Sequence, residues 1–349
     1  MKVLVAMSGG VDSSVAALLL KKAGFDVIGA SMHLYSCNRS AGRTCCSAKD
    51  RLDAAKVCEV LGIPFLSLDY RNLFREKVVE PFVDEYLEGR TPSPCILCNT
   101  HLKFAVLLNE AQKIGAQAVA TGHYARIGRE NCRYSLLRGI DAKKDQSYFL
   151  FTLTQEDLSR TRFPVGSLTK EEVRKIAKEN GLPTSDKSES QEICFVPDND
   201  YAAFVESSRP GGIGGPGDFV GVDGKVIGRH KGIHNYTIGQ RRGLGFGTGA
   251  RQYVVNIDAA GNRVVLGSSG DLLRKEMRVN AVNLIGGETL ENKVDVQIRS
   301  THKAAPAKIE ILNDDEVKVV FDNEQKAVAP GQAAVFYRGD KVLGGGWID

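Results

Sequence analysis

The feature that most constrains the fold is an alternation of two patterns over roughly the first 125 residues. Short apolar runs rich in β-branched residues predict strands in "KVLVAM", "DVIGASMHL", "IPFLSLDY" and "AQAVATGHYARI". Between them, "DSSVAALLLKKAG" and "SAKDRLDAAKVCEVLG" have helical periodicity, with Ser47 and Asp50 at capping-box spacing and Gly24 and Gly62 as helix stops. Strands that alternate with helices indicate βαβ units, and they predict a Rossmann-like parallel sheet.

The rest of the chain changes pattern twice. After about residue 150 it turns helical, and Thr169 and Glu172 form a second capping-box pair. A glycine-dense segment follows Pro210, and from about residue 270 the alternating polarity of runs such as "VDVQIRS" and "EVKVVF" predicts a small antiparallel barrel. The length of 349 residues exceeds what one core usually serves.

We therefore predict an α/β protein of three domains. Residues 1–200 form a domain with a parallel sheet and a helical appendix over 150–190. Residues 201–268 form a small Gly-rich central α+β domain, and residues 269–349 form a C-terminal antiparallel β-barrel.

Composition excludes several classes of protein. No apolar run approaches the roughly 20 residues that span a bilayer. The first run, "MKVLVAM", is followed so closely by Gly9, Gly10 and Asp12 that it is too short for the apolar core of a signal peptide. We therefore expect a soluble cytoplasmic protein. A formal charge of +4 is too small to indicate a nucleic-acid partner, which must be argued from local basic clusters. No cysteine follows Cys194, which does not fit a secreted disulfide scaffold.

The strongest chemical signal is "AMSGGVDSS", which follows a predicted strand and opens a predicted helix. The backbone N–H groups of a glycine turn and a helix N-terminus form an anion site. The segment is neither a Walker loop nor a dinucleotide fingerprint. Its S-G-G-x-D-S pattern resembles the loop of N-type ATP pyrophosphatases, which cut ATP between its α and β phosphates. The alternative is a tight strand-to-helix turn with a capping serine. The candidate ATP-binding residues are Ala6, Met7, Ser8, Gly9, Gly10, Val11, Asp12 and Ser13, and Asp12 is also the candidate ligand of Mg²⁺.

A second signal is "TPSPCILCN", which places Cys95 and Cys98 three residues apart. Such a pair can be a disulfide, half of a zinc site, a redox couple or two cluster ligands, and alone it decides nothing. Either cysteine can also be a small buried apolar residue. N-type ATP pyrophosphatases adenylate a substrate oxygen, and a nucleophile must then displace AMP. A cysteine thiol can be that nucleophile, so the cysteines are consistent with the phosphate loop.

Nearly the whole chain resembles the tRNA-specific 2-thiouridylases. The resemblance lies in "SGGVDSS", "CCS" at 45–47, "CNTHLKF", "TGHYAR", "KKDQSYFL", "SQEICF", "YTIGQRRGLG" and "PGQAAVFY", in that order. This family converts the C2 oxygen of the wobble uridine to sulfur, usually in the tRNAs for Lys, Glu and Gln. The resemblance implies a tRNA-uridine 2-sulfurtransferase that uses ATP and Mg²⁺, and a sulfur donor that is a cysteine desulfurase, a persulfide relay or sulfide. It also implies that Cys98 is the nucleophile and Cys194 the persulfide carrier.

Cys95 departs from the family pattern, which has an aspartate at this position. With an aspartate, a Cys194 persulfide would deliver sulfur and Cys98 would close a disulfide that releases it. With Cys95 present, the three cysteines resemble the three-thiolate set of iron-sulfur-dependent tRNA thiolases, and a [4Fe-4S] cluster on three ligands leaves one iron open for hydrosulfide. The sequence favours this route because a C-x-x-C pair provides two soft ligands from one turn. Zinc is the structural alternative, but a closed zinc site normally takes four protein ligands.

Further residues take roles from the resemblance. Met32 and Gly122 would contact adenosine through the backbone at the carboxyl edge of the sheet. Each predicted role has a structural alternative. Met32 can be a core residue, His123 can be a structural histidine with its hydrogen bonds satisfied, and residues 144–146 can be an exposed turn. The positions in the barrel can simply lie on the surface of a β-domain. Ser300 stands where the family more often has an aromatic residue, and Cys45 and Cys46 either pack beside the loop or serve a metal or redox function. The residues that would contact tRNA are His123, Lys144, Asp145, Gln146, Arg241, Arg242, Arg299, Ser300 and Gln332.

The basic segment "GRHKGIHNYTIGQRRGLG" supplies Arg229, Lys231, Arg241 and Arg242 with Tyr236 among glycines, so its backbone can approach a phosphate chain. We expect it to bind tRNA, whose anticodon loop offers splayed bases. The sequence leaves two other functions open. A synthetase with an amine nucleophile would keep the phosphate loop but would not need the cysteines. A noncatalytic RNA-binding protein, with a first domain stabilised by a metal ion, would need the cysteines as metal ligands but would not need the phosphate loop.

Overall fold

The computed structural model describes residues 1–35, 48–188, 193–245, 251–288, 290 and 293–349. Within these ranges the chain forms three sheets, and the helices of more than one turn all end by Ser208. No helix of the described ranges is long and apolar enough to cross a membrane.

The first sheet consists of β1 (Lys2–Ala6), β2 (Asp26–His33), β3 (Phe65–Asp69), β4 (Ala118–Ala120) and β7 (Thr161–Arg162). All of its pairings are parallel, and the order is β3-β2-β1-β4-β7. This confirms the predicted Rossmann-like sheet. The strand order reverses between β1 and β4, and ligands of such sheets bind beyond the carboxyl ends of the strands at that point.

Two hydrophobic clusters cover the faces of this sheet. Val3 and Val5 of β1 belong to one cluster and Leu4 to the other, because successive side chains of a strand point to opposite faces. The longer helices are α1 (Val11–Lys22), α2 (Ala48–Leu61), α6 (Ala105–Lys113) and α8 (Lys170–Glu179). The shorter helices are α3 (Arg71–Phe74), α4 (Glu80–Leu87), α5 (Pro94–Cys98), α7 (Gln155–Ser159) and α9 (Tyr201–Ser208). π-helical turns at Arg75–Val79 and Asn99–Phe104 join α3 to α4 and α5 to α6.

The local signals for helix ends are confirmed where the structure describes them. Thr169 and Glu172 form a reciprocal capping box at the start of α8. Gly24 and Gly62 follow α1 and α2 with φ values of +80° and +56°, the left-handed conformation of a helix stop. Ser47, the other predicted cap, lies outside the described residues.

One predicted strand was wrong. The run "AQAVATGHYARI" is not continuous, because the chain turns at residues 121–124 between β4 and β5 (Ala125–Glu130), which belongs to another sheet. The turn occurs where Gly122 meets the start of α1: a Cβ atom at Gly122 would lie 2.6 Å from Ser13 N. Tertiary packing therefore overrides the apolar pattern at this point.

The central sheet follows α9 and contains β8 (Gly217–Gly221), β9 (Val226–His230), β10 (Tyr253–Asp258) and β11 (Arg263–Gly267), in the order β10-β11-β8-β9. With α9 it makes the predicted small α+β unit. Its core contains Phe219, Ile233, Tyr236, Leu244, Val254, Val264 and Leu266.

The third sheet is antiparallel and closes on itself. Its strands are β5, β6 (Arg133–Arg138), β12 (Leu273–Leu284), β13 (Val294–Gln297), β14 (Ala305–Ile311), β15 (Glu316–Lys326), β16 (Ala333–Arg338) and β17 (Lys341–Ile348). The order β12-β15-β14-β13-β16-β17 is closed by a β12–β17 pairing, which confirms the predicted barrel. The β5–β6 hairpin extends this sheet through β17, so a piece of the N-terminal segment pairs with the barrel. The domain boundaries at 200 and 268 stay predictions.

Candidate active site

The predicted phosphate loop lies between β1 and α1, at the point where the strand order of the parallel sheet reverses. Gly9 has φ +73°, and a Cβ atom there would lie 2.2 Å from the backbone oxygen of Asp50. Position 9 therefore requires glycine, both for its conformation and for the close approach of α2. Gly10 is the N-cap of α1 and supplies no side-chain cap. The first N–H groups of α1 thus point to a site that suits an anion.

Serine hydroxyls hold the loop in shape. The Ser13 hydroxyl donates to Gly10 O at 3.1 Å and accepts from the Ser8 backbone N–H at 3.2 Å. The Ser14 hydroxyl donates to the same carbonyl at 2.8 Å, and it accepts from the Thr184 hydroxyl at 3.0 Å. Ser13 and Ser14 are buried, whereas Ser8 is exposed. Ser8 is consequently better placed than Ser13 to donate to a phosphate.

Asp12, the candidate Mg²⁺ ligand, lies in the first turn of α1 and is paired. Lys170 Nζ donates to its two carboxylate oxygens at 2.7 and 2.8 Å, and the Tyr124 hydroxyl donates to Oδ1 at 2.7 Å. The Asp12 side chain is 31% exposed, so it can still be reached from the loop. One carboxylate beside a phosphate site fits Mg²⁺, which usually takes one or two carboxylates plus phosphate oxygens. Lys170 is a site residue that sequence reasoning missed, because its burial has no local signal.

A second missed residue is Lys187. Its ammonium donates to Gly9 O at 2.9 Å and to carboxylate oxygens of Asp50 and Asp53 on α2, the second at 2.7 Å. Burial lowers the pKa of Lys187, but the hydrogen bonds and charges of Asp50 and Asp53 outweigh burial and raise the pKa above its ordinary value. Lys187 thus joins the phosphate loop to α2.

The two predicted adenosine contacts lie at the carboxyl edge of the sheet. Met32 is buried near the end of β2, and Gly122 follows β4 and packs on the start of α1. Their contact with adenosine stays a prediction.

His123, predicted to contact RNA, is buried in the structure. Its ring packs against Phe104 and Phe163, and Nδ1 is 2.7 Å from the Thr121 hydroxyl oxygen. Burial, with a smaller effect of the Lys103 charge, holds the pKa of His123 well below its usual value. The side chain is therefore neutral and serves the packing around the site, and its contact with RNA stays a prediction.

The cysteines of the C-x-x-C pair differ in exposure. α5 carries Cys95 and Cys98, and Cys95 is exposed whereas Cys98 is 8% exposed and belongs to the larger hydrophobic cluster. Cys194 is half-buried and packs against the same cluster. The structure thus brings Cys98 and Cys194, far apart in sequence, to one apolar region.

The predicted three-thiolate cluster is not supported. Across the described ranges, no group of three His, Cys, Asp or Glu residues is arranged to hold a metal ion. The difference in exposure between Cys95 and Cys98 gives the physical reason: one lies at the surface and the other inside an apolar cluster. Among the described residues there is thus no support for a [4Fe-4S] cluster or a zinc site.

Of the remaining cysteines, the two that the structure describes, Cys58 and Cys132, do not belong to this region. Cys58 is buried on α2, and burial raises its pKa to about 11, which keeps the thiol protonated. Cys132 is exposed in the β5–β6 turn. Cys37, Cys45 and Cys46 lie outside the described residues.

The predicted tRNA contacts at 144–146 form a turn beside the phosphate loop. Asp145 accepts hydrogen bonds from Arg138, from the backbone N–H of Gly139 and from Ser147. Gln146 exchanges hydrogen bonds with the backbone of Tyr124, whose hydroxyl donates to Asp12. Asp145 and Gln146 therefore hold the turn, and Lys144 is half-buried in it. Their contacts with tRNA stay predictions.

Of the other predicted tRNA contacts, some side chains are exposed and others form hydrogen bonds within the protein. Arg241 and Arg242 are exposed, as are Arg229 and Lys231 of the basic segment. Tyr236 is buried against Phe219 and belongs to the core of the central sheet. In the barrel, the Arg299 guanidinium donates to Ile238 O and Ala327 O at 3.0 Å each, and Ser300 is exposed. The Gln332 side chain donates to two backbone carbonyls in the segment that precedes α5.

Comparison with known families agrees with this architecture. The family model described as the tRNA methyl transferase HUP domain matches residues 1–198. The tRNA methyl transferase PRC-barrel domain matches residues 204–268, and the aminomethyltransferase beta-barrel domain matches residues 274–348.

Curated relatives match over their full length. A protein of Clostridium botulinum (strain Alaska E43 / Type E3) is 47% identical over 353 residues, which cover 100% of this chain and 98% of the relative. A protein of Solibacter usitatus (strain Ellin6076) is 48% identical over 367 residues, which cover 99% of each chain. Both are named tRNA-specific 2-thiouridylase MnmA. Among solved structures, a 4-thiouridine synthetase in complex with RNA and ATP is 20% identical, with a TM-score of 0.37 over 60% of this chain and 50% of that one. A superposition with this TM-score supports no conclusion about the site.

Proposed function

The chain belongs to the family of tRNA-specific 2-thiouridylases, and from that premise we propose that it catalyses the ATP-dependent 2-thiolation of the wobble uridine of tRNA. The observation that carries the proposal is the phosphate loop at one edge of the sheet. There, a turn that requires glycine at position 9 leads into α1, whose N-terminus has no side-chain cap, and the Asp12–Lys170 ion pair lies beside it. This arrangement suits the binding of a polyphosphate.

The first half-reaction is adenylation. The C2 oxygen of uridine attacks the α-phosphorus of ATP, the N3 proton is lost, and pyrophosphate leaves with the electrons of the broken P–O bond. The N–H groups at the start of α1 and the Ser8 hydroxyl bind the departing pyrophosphate. Asp12 would hold Mg²⁺, which would neutralise phosphate charge there. Lys170, within hydrogen-bond distance of Asp12, adds a fixed positive charge on the same side.

The second half-reaction is sulfur transfer by a persulfide. The terminal sulfur of a Cys194 persulfide attacks C2, and AMP leaves. The Cys98 thiolate then attacks Cys194 Sγ, which forms a Cys98–Cys194 disulfide and releases 2-thiouridine. A thiol reductant supplies two electrons to reopen the disulfide. The packing of Cys98 and Cys194 on one apolar cluster supports this sequence, because it brings two thiols that are far apart in sequence to the same region.

The partners follow from this chemistry. The substrate is tRNA, and we propose the isoacceptors for Lys, Glu and Gln, held in part by Arg241 and Arg242, which are exposed on the central unit. The sulfur donor is a cysteine desulfurase or a persulfide relay that loads Cys194. A tRNA substrate fits a cytoplasmic protein.

The experiment combines the protein with ATP, Mg²⁺, a persulfide donor and unmodified tRNA of the three isoacceptors. We expect release of pyrophosphate and AMP only when tRNA is present, together with 2-thiouridine in digests analysed by mass spectrometry. Pyrophosphate release with a small amine and no tRNA would instead indicate an amine-using synthetase. Binding of tRNA with no pyrophosphate under any condition would indicate a noncatalytic RNA-binding protein.

A further inference from the structure

The segment that leads into α5 is held by the C-terminal barrel. Gln332 lies just before β16, and its side-chain amide donates to Thr91 O at 2.9 Å and to Pro92 O at 3.1 Å. In return, the Thr91 backbone N–H donates to Pro330 O at 2.8 Å. Pro92 and Pro94 have no N–H group, so this segment cannot form a regular ladder with a strand. A side chain from elsewhere must therefore satisfy its carbonyl oxygens.

The turn at residues 330–332 is shaped for this contact. Gly331 has φ +84°, and a Cβ atom there would lie 2.5 Å from Glu85 Oε2 and 3.0 Å from both Thr91 N and Thr91 O. The backbone on either side is fixed by the barrel, since Gly331 N donates to Ile348 O at 2.9 Å and Ile348 N donates to Gln332 O at 2.8 Å. The Gln332 amide is thus presented from a rigid support, and a bulkier turn would push the segment away.

The contact lies immediately before the cysteine helix. Ser93 and Pro94 are buried, α5 begins at Pro94, and Ser93 provides no side-chain cap for it. Farther along, Asn99 Nδ2 donates to Phe149 O at 3.0 Å. The start of α5 is consequently set by the residues that Gln332 holds, and the last residue of α5 is Cys98.

We propose that Gln332 is a positioning residue for the Cys98 thiol: the barrel fixes segment 91–94 and thereby the depth at which α5 buries Cys98. This assignment deepens the proposed thiolation function and rests on it for its catalytic consequence. It differs from the sequence-based expectation that Gln332 contacts tRNA, because both N–H groups of its amide face protein carbonyls within one Thr-Pro dipeptide.

The test compares Gln332→Ala and Gln332→Glu with the wild-type full-length protein. Glutamate keeps the size of the side chain but has no N–H at neutral pH, so both variants should behave alike. Gln325→Ala is the matched control, since Gln325 lies in the same barrel and its amide donates only locally, to Asn323 O. Four quantities are measured: the kcat and KM of thiolation, the Kd for tRNA, and the rate at which iodoacetamide alkylates Cys98 in reduced protein without ATP or tRNA.

We expect kcat to fall on the order of tenfold to a hundredfold in both Gln332 variants, as for a nucleophile displaced by about an ångström. The KM and Kd for tRNA should stay within about twofold, and Cys98 should be alkylated several-fold faster. Cys58, buried in a separate cluster, reports global unfolding and should not change. An unchanged alkylation rate of Cys98 overturns the positioning role whatever the activity. A weaker Kd for tRNA with normal Cys98 alkylation would show that Gln332 contacts RNA instead. If no tRNA is thiolated even by the wild type, the proposed function fails, and the alkylation rates still decide the role of Gln332.

Discussion

The phosphate loop and the cysteine segment are held in different ways. Most hydrogen bonds within the loop join neighbours in sequence, namely Ser8, Gly10, Ser13 and Ser14, and Lys187 adds a remote contact at Gly9 O. The cysteine segment depends on contacts from remote parts of the chain, namely Gln332 of the barrel and the apolar cluster against which Cys194 packs. The turn of the loop is thus set largely within β1 and α1, whereas the position of the cysteines also depends on the C-terminal barrel.

The two regions should therefore respond differently to substitution. In the loop, a substitution removes one charge, as at Asp12, or disturbs one backbone conformation, as at Gly9, and each should have its own separate effect. Around the cysteines, distant substitutions can move the thiol without touching it. Each experiment below tests one side of this comparison.

The largest effect is expected at the cysteines. Cys98→Ala and Cys194→Ala should abolish 2-thiouridine formation, because the first removes the thiolate that releases the product and the second removes the persulfide carrier. Cys95→Asp should keep much of the activity, because Cys95 is exposed and lies outside the apolar cluster. The measurement is 2-thiouridine in digested tRNA, from proteins prepared without oxygen.

The same preparations should be analysed for iron, since a cluster could be lost in air. Iron bound to the wild type and absent from Cys95→Asp, together with loss of thiolation in that variant, would contradict the persulfide route. Iron-free wild type that thiolates from a persulfide donor would agree with it.

The next largest effect is expected at Asp12. Asp12→Asn keeps the shape of the side chain but removes the charge that would hold Mg²⁺, so pyrophosphate release should fall on the order of 100-fold or more. The Kd for tRNA should change little. The variant also leaves Lys170 without its carboxylate, which we expect to lower the free energy of unfolding by about 2 kcal/mol.

A double variant separates these two consequences. Asp12→Asn with Lys170→Met removes both charges, so stability against urea should return toward that of the wild type while pyrophosphate release stays low. Near-normal thiolation in either variant would mean that Asp12 has no part in adenylation.

The comparison also explains what the sequence could predict. Alternating apolar runs and the S-G-G-x-D-S pattern are local signals, so the parallel sheet and the position of the loop between a strand and a helix were predicted. Lys170, Lys187 and Gln332 were not assigned to these contacts, because their partners lie 158, 178 and 241 residues away in sequence. The possible cluster was proposed from the spacing of Cys95 and Cys98, but the exposure of each cysteine is decided by the surrounding fold, and the described residues give the cluster no support.

A smaller effect is expected at the glycines of the N-terminal region. Gly9→Ala and Gly24→Ala both place alanine at a positive φ, which costs about 1 kcal/mol or somewhat more. Only at Gly9 would the new Cβ meet the backbone oxygen of Asp50, since nothing lies within 4 Å of the corresponding atom at Gly24. Gly9→Ala should therefore lower the free energy of unfolding by about 1–3 kcal/mol more than Gly24→Ala. Urea denaturation measures both, and equal losses would contradict the close approach of α2 to the loop.

The smallest effect is expected at Arg241 of the central unit, which forms no part of the phosphate loop or of the cysteine helix. Arg241 is exposed, so Arg241→Ala should leave folding unchanged and remove one phosphate contact. The slope of log K for tRNA against log salt should then decrease by about one unit, equally for all substrate tRNAs, because a phosphate contact carries no sequence information. Arg274→Ala is the control, since this exposed arginine lies on β12 and donates to nearby carbonyls. An unchanged slope for Arg241→Ala would move the tRNA contact away from this segment, and a loss confined to one isoacceptor would mean that Arg241 contacts a base.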